Sequence, residues 1–239
     1  MASVSVRLCA AVVSVSRLSA LLIASLLQVV AAEESLVLGE PQPISNDGTM
    51  VVCRYPQIEK TPVDLLIHFH GAVSVAADNF SKSEMKGVLV VINFKGLSAA
   101  YSKPFQESPA LFNGVIHKVA SQLKLKSRDP WGRIMVSSFS AGYGAVREIL
   151  KTPENFSRID ALLAADSMYA SLKQESAHRQ PIEEHMQDYA RFAKLATEGK
   201  KTFLITHTNQ KTPYASTTET ADYLLRSVGV DRASVSRRE

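Results

Sequence analysis

Short apolar runs alternate with segments of helical periodicity along most of this chain of 239 residues. Most of the runs are nearly continuous in apolar residues, which is typical of strands that are buried on both faces of a parallel sheet. A further run is rich in β-branched residues and ends before a proline. The predicted strands occupy residues 49–55, 64–69, 87–94, 131–138, 160–165 and 202–207.

Between the later strands, apolar residues recur at the spacing of a helix face. One predicted helix opens at Ser108-Pro109, another follows the strand at 131–138, and the last two occupy residues 183–197 and 216–228. Strands that alternate with helices predict the α/β class. We therefore expect a doubly wound, mostly parallel sheet flanked by helices.

The first 32 residues have the pattern of a secretory signal peptide. Arg7 and Arg17 are the only charges, an apolar stretch covers residues 18–30, and small residues lead to Ala32. The purely apolar part is shorter than the ~20 residues that cross a bilayer, so a signal peptide is favoured over a membrane anchor. We predict cleavage after Ala32, a single domain at 33–239, and a secreted or periplasmic location.

The rest of the chain is close to charge balance, because the signal removes two of 27 basic residues and none of the 23 acidic ones. This balance argues against a nucleic-acid partner. Cys9 lies in the predicted signal, so Cys53 cannot form an internal disulfide and is expected to be buried. Neither of the glycine-rich nucleotide motifs is present, and we predict no cofactor.

Polar residues follow four of the predicted strands directly, as His70-Gly71-Ala72, residues 138–142, Asp166 and His207. Ligands of an open parallel sheet bind beyond the carboxyl ends of its strands. A serine, an aspartate and histidines are therefore expected to converge at one edge of the sheet.

The segment Ser138-Phe139-Ser140-Ala141-Gly142 joins a predicted strand to a predicted helix. A nucleophile elbow needs small residues two positions before and two after its central residue, and Ser138 and Gly142 meet this need. The alternative is a turn that merely packs the helix on the sheet. The strand–turn–helix context favours the elbow, with Ser140 as nucleophile and the N–H of Ala141 facing an oxyanion.

With these residues the chain resembles the α/β-hydrolase superfamily of serine esterases and lipases, over roughly residues 60–228. The resemblance implies that His70-Gly71 forms the oxyanion loop and that the backbone N–H of Ala72 is the partner of Ala141. It also implies a substrate pocket at His70, Gly71 and Tyr143.

The resemblance further implies an acid and a histidine base that follow Ser140 in chain order. Most members place the acid one strand after Asp166, where this chain has His207 and no carboxylate. We assign the acid to Asp166; the alternative is an aspartate that caps a turn. Residues 231–239 contain neither a strand pattern nor a histidine. Either the sequence is cut short, or the final strand is lost, or His207 substitutes as the base. Ser138 also replaces the usual first glycine of the GxSxG motif.

A metal site is a rival interpretation, since His68 and His70 share one side of a strand. No third ligand follows at short spacing, and we predict no metal. The sequence predicts an exported hydrolase that cleaves a small-molecule or polymer ester through an acyl-enzyme on Ser140. The alternative is a non-catalytic exported binding domain that keeps the fold. We expect no membrane span after signal cleavage.

Overall fold

The structure is a computed structural model. It describes residues 35–45, 47–56, 58, 62–83, 85–127, 129–174 and 179–232. The predicted signal peptide at 1–32 and the tail beyond Arg232 lie outside the described residues.

The described strands form one mixed sheet. They are β1 (Val37–Leu38), β2 (Gln42–Pro43), β3 (Gly48–Arg54), β4 (Val63–Phe69), β5 (Gly87–Phe94), β6 (Trp131–Phe139), β7 (Ala161–Ala165) and β8 (Thr202–Thr206). Their order is β1-β3-β5-β4-β6-β7-β8, and β2 pairs with β3. Strands β4 to β8 are parallel, whereas β3 runs antiparallel to β5. The structure confirms the predicted class, a mostly parallel sheet flanked by helices.

The helices lie between and after the strands. They are α1 (Val73–Lys82), α2 (Ser98–Glu107), α3 (Leu111–Gln122), α4 (Tyr143–Lys151), α5 (Pro153–Arg158), α6 (Glu183–Thr197) and α7 (Thr217–Ser227). The predicted helices at 183–197 and 216–228 are confirmed, the second with a capping box between Ser216 and Glu219. Helices α1, α2 and α5 were not predicted from the sequence.

The two faces of the sheet are covered to different extents. On one face, Leu65, Ile67 and Phe69 of the central strand β4 are fully buried in the main core, to which α2, α3, α4, α6 and α7 contribute. On the other face, α1 covers a smaller core that includes Cys53. Beyond α1 this second face is more open in the described part of the chain, and Leu204 of β8 is 58% exposed.

The parallel register brings the candidate residues to one edge. Phe69 pairs with Ser138, Phe139 with Ala165, and Ala165 with Thr206. The residues that follow β4, β6, β7 and β8 therefore emerge side by side. Within the described ranges, no helix has the length and apolar character needed to cross a bilayer.

Candidate active site

Ser140 stands at a sharp turn between β6 and α4. Its φ of 43° is left-handed, a conformation that costs a residue with a side chain roughly 1–2 kcal/mol. A single 3₁₀ turn, Ser140–Gly142, leads directly into α4. The hydroxyl of Ser167, which follows Asp166, donates a hydrogen bond to the Ser140 carbonyl at 2.9 Å. The turn thus has the strand–turn–helix form and the strained central residue of a nucleophile elbow.

Small residues on either side make this turn possible. Ser138 is only 2% exposed within the sheet. A Cβ atom on Gly142 would lie 2.3 Å from the carbonyl oxygen of Phe69 on the neighbouring strand β4. That separation is far inside van der Waals contact, so the position requires glycine for steric reasons. The structure places Ser138 and Gly142 as the sequence motif predicts.

A second strained turn follows β4. His70 has a φ of 71° and Gly71 a φ of 142°. The N–H of Gly71 donates to Oδ1 of Asn93 at 3.0 Å, and Nδ2 of Asn93 donates to the Gly71 carbonyl at 2.9 Å. Because Asn93 occupies the Gly71 amide, the next donor of the loop is the N–H of Ala72, the N-cap residue of α1. This arrangement agrees with Ala72 rather than Gly71 as the oxyanion donor.

The side chain of His70 is held by a neighbouring network. Its Nδ1 lies 2.8 Å from the hydroxyl of Tyr101, and that hydroxyl donates to Oδ1 of Asn93 at 3.3 Å. Since the tyrosine has only one hydroxyl proton, Nδ1 of His70 must be the donor in the first bond. Burial lowers the pKa of His70 below its ordinary value. The loop is therefore fixed by Asn93 and Tyr101, of which the sequence interpretation missed Asn93.

Asp166 also has a left-handed backbone, with a φ of 45°. Its carboxylate accepts hydrogen bonds from the Thr217 hydroxyl at 2.5 Å, the Thr208 N–H at 3.1 Å and the Tyr169 hydroxyl at 3.3 Å. Burial acts to raise the pKa of Asp166, but these hydrogen bonds outweigh it and hold the pKa below the ordinary value. Asp166 is an ionised carboxylate whose orientation is set by its donors.

Tyr143 begins α4 directly after the elbow. Its hydroxyl donates to Oγ of Ser98 at 3.0 Å, and its ring packs edge-on against Tyr169. Burial, with the charge of Asp166, raises the pKa of Tyr169 to about 12. Tyr214 continues this aromatic row. The row forms a wall beside the elbow and links it to the loop that carries Asp166.

His207 faces away from these residues. Its Nδ1 lies 3.1 Å from the Thr218 hydroxyl, and its Nε2 lies 2.9 Å from Nη1 of Arg232. The Thr218 hydroxyl donates its proton to the Thr208 carbonyl, so Nδ1 of His207 is the donor and Nε2 accepts from Arg232. The lone pair that a base would use is thus occupied.

His207 also lines a separate cavity of about 440 Å³ between β8, α6 and α7. No hydrogen bond among the described residues joins it to Ser140 or Asp166. The structure therefore brings Ser140, Asp166 and the loop at 70–72 to one edge of the sheet, but it does not bring the predicted base to them.

Two other histidines, His68 and His185, have hydrogen-bond partners of their own. Nδ1 of His68 lies 2.8 Å from the hydroxyl of Ser137, whereas Nδ1 of His70 faces Tyr101. His185 on α6 accepts from the backbone N–H of Ser171. In the part of the chain that the structure describes, no three or more His, Cys, Asp or Glu residues cluster in a way that could hold a metal ion.

No protein-family model and no curated protein matches this chain. Solved structures with a similar fold include a mutant of the esterase rPPE, at 14% identity over 88% of this chain and 76% of the esterase, with a TM-score of 0.46. A cold-adapted esterase from an Arctic intertidal metagenomic library has 13% identity over 84% of this chain and 82% of its own, with a TM-score of 0.45.

S-formylglutathione hydrolase FrmB from Staphylococcus aureus has 13% identity over 83% of this chain and 87% of its own, with a TM-score of 0.46. All three neighbours are esterases or hydrolases by name.

Proposed function

We propose that the chain is an exported serine hydrolase that cleaves an ester, or a related acyl bond, through an acyl-enzyme on Ser140. The observation that carries this proposal is the left-handed backbone of Ser140 between a buried strand and a helix. Such strain persists where the surroundings enforce it, and it clusters at functional sites. Gly142 is packed so closely on β4 that the strained turn is held in place.

The geometry supports a specific sequence of steps. Oγ of Ser140 would attack the carbonyl carbon of the ester, and the negative charge would develop on the carbonyl oxygen. Backbone N–H groups of Ala141 and Ala72 would stabilise this oxyanion. Water would take up the Oγ proton as the new bond forms, and the alcohol would leave with a proton from water. A second water then releases the acid from Ser140. Asp166 occupies the position of a residue that orients a histidine in such reactions, but among the described residues its carboxylate accepts from Thr217, Thr208 and Tyr169 and from no histidine.

A base typically contributes 10²–10⁴-fold to the rate of such a reaction. Because both ring nitrogens of His207 are engaged with Thr218 and Arg232, we expect this chain to turn over slowly. The same observation favours a second candidate function, a non-catalytic exported binding domain that keeps the hydrolase fold. The two candidates differ in one property, namely whether Ser140 is reactive.

Hydrolysis of 4-nitrophenyl acetate tests the proposal. We compare the parent chain with Ser140→Ala and with Ser121→Ala, an exposed serine on α3 that serves as the matched control. The proposal predicts a slow rate that Ser140→Ala abolishes and Ser121→Ala preserves. Equal rates for all three chains would remove Ser140 from the mechanism and leave the binding domain as the better account.

The proposal of export rests on the charged and apolar pattern of residues 1–32. Expression of the full chain in a bacterial host, followed by N-terminal sequencing of the protein recovered outside the cytoplasm, tests it. A mature protein that begins at Glu33 is expected. Retention of the full chain in the cytoplasm would contradict export without affecting the assignment of Ser140.

A further inference from the structure

A cavity of about 590 Å³ lies between α1 and the face of the sheet opposite the main core. Small-molecule sites typically have volumes of about 300–1,000 Å³ and mostly apolar walls. The walls here come from both sides of the cavity: Leu66, Leu89 and Leu163 from the sheet, Ala76 and Phe80 from α1. The cavity therefore has the size and the lining of a site for an apolar ligand.

One end of the cavity borders the oxyanion loop of the candidate active site. Gly71 and Ala72 of the oxyanion loop are part of its wall, as is Phe139, the residue before Ser140. Phe139 is 47% exposed, and its ring stacks on His70 with 6.2 Å between centroids. A ligand whose carbonyl contacts the Ala72 amide would thus have the apolar cavity directly beside it.

The few polar groups of the cavity are uncharged. None of the lining residues is Asp, Glu, Lys or Arg. His68 and Ser137 lie on neighbouring strands and satisfy each other through a hydrogen bond of 2.8 Å. Burial lowers the pKa of His68, so the imidazole is neutral at pH 7. An uncharged chain can therefore enter the cavity without an electrostatic penalty. A charged group on that chain would find no ion-pair partner among the lining residues.

We propose that this cavity binds the acyl chain of the ester, a straight chain of medium length with no second charge. The identity of the bound group as an acyl chain rests on the proposed function, because it assumes that the ester carbonyl lies at Ser140 and Ala72. Binding of the chain to the cavity is independent of whether the bond is cleaved.

Calorimetric titration of the full chain with butanoic, hexanoic and decanoic acids tests this proposal. We expect the affinity to rise about fourfold for each added methylene that is buried. Leu163→Trp would fill the cavity from β7 and should weaken decanoic acid binding at least tenfold. Thr202→Trp places the same side chain on the exposed edge strand β8, outside the cavity, and should leave binding unchanged.

A second variant guards against misfolding of the first. Ala76→Phe fills the cavity from α1, and thermal unfolding identifies a variant that has lost its structure. A folded filled variant that binds decanoic acid as well as the parent would overturn the proposal, as would equal affinity for all three acids. If Ser140 proves unreactive but the acids still bind with an affinity that rises with chain length, the cavity assignment stands. If Ser140 is reactive but the affinity does not depend on chain length, the cavity assignment is refuted.

Discussion

Replacement of Gly142 by alanine tests how tightly the elbow packs on the sheet. The backbone of Gly142 has φ −60° and ψ −20°, which alanine adopts readily, so backbone entropy alone favours alanine by roughly 0.5–1 kcal/mol. The new Cβ would however lie 2.3 Å from the Phe69 carbonyl oxygen and 2.9 Å from its carbonyl carbon. Both are main-chain atoms of the buried central strand β4. Overpacking of this kind typically costs about 1–3 kcal/mol, so steric repulsion outweighs the entropic gain.

Gly114 provides the matched control for this substitution. It lies on α3, and a Cβ atom there would meet nothing within 4 Å. Gly114→Ala should therefore raise the free energy of unfolding by roughly 0.5–1 kcal/mol, whereas Gly142→Ala should lower it by about 1 kcal/mol or more. Urea denaturation followed by circular dichroism measures both. A Gly142→Ala chain as stable as the parent would show that the elbow is not packed against β4 in this way.

Three further predictions concern the oxyanion loop, Asp166 and the smaller core under α1. Asn93→Leu removes both hydrogen bonds to Gly71 and should release the oxyanion loop; amide hydrogen exchange at Gly71 that stays as slow as in the parent would contradict the clamp. The pKa of Asp166 is depressed from its ordinary value of 3.8, so its stabilising effect is complete above that value and is lost as the pH falls through the lower folded pKa. Thr217→Val removes its shortest hydrogen bond and should cost about 1 kcal/mol at pH 7, with less loss at pH 2 when denaturation is measured at both. Burial raises the pKa of Cys53 to about 11, so peptide mapping should find it unmodified by iodoacetamide at pH 8 until the chain is unfolded.

The strands and the later helices could be predicted because their signals are local. The run at 87–94 is nearly all apolar and forms β5, a strand buried in the middle of the sheet. The last helix carries its own start signal at Ser216 and Glu219. Helix α1 buries only Ala77 and Phe80, so its apolar spacing is too sparse to stand out.

Helix α2 escaped prediction for a different reason. It contains Pro104, which in sequence argues against a helix interior. Its burial of Tyr101 and Phe105 depends on packing against the sheet, and this tertiary contact has no local sequence signal.

The candidate site also contains residues that could be placed from the sequence and residues that could not. Ser140 and Asp166 could be placed because parallel strands end at one edge, and each residue directly follows a strand. The direction of the His207 ring could not be predicted, since it depends on Thr218 and Arg232 from later in the chain. Asn93 gave one usable signal, a lone polar residue near the end of an apolar strand, but its partner Gly71 lies 22 residues earlier.

The reactivity of Ser140 is the central claim, and covalent labelling tests it most directly. The full chain is incubated with a fluorophosphonate, digested, and mapped by mass spectrometry. We predict a single phosphonate adduct on the peptide that contains Ser140, with no adduct after Ser140→Ala. An unmodified Ser140, or the same labelling in the alanine variant, would contradict the assignment of this residue as the nucleophile.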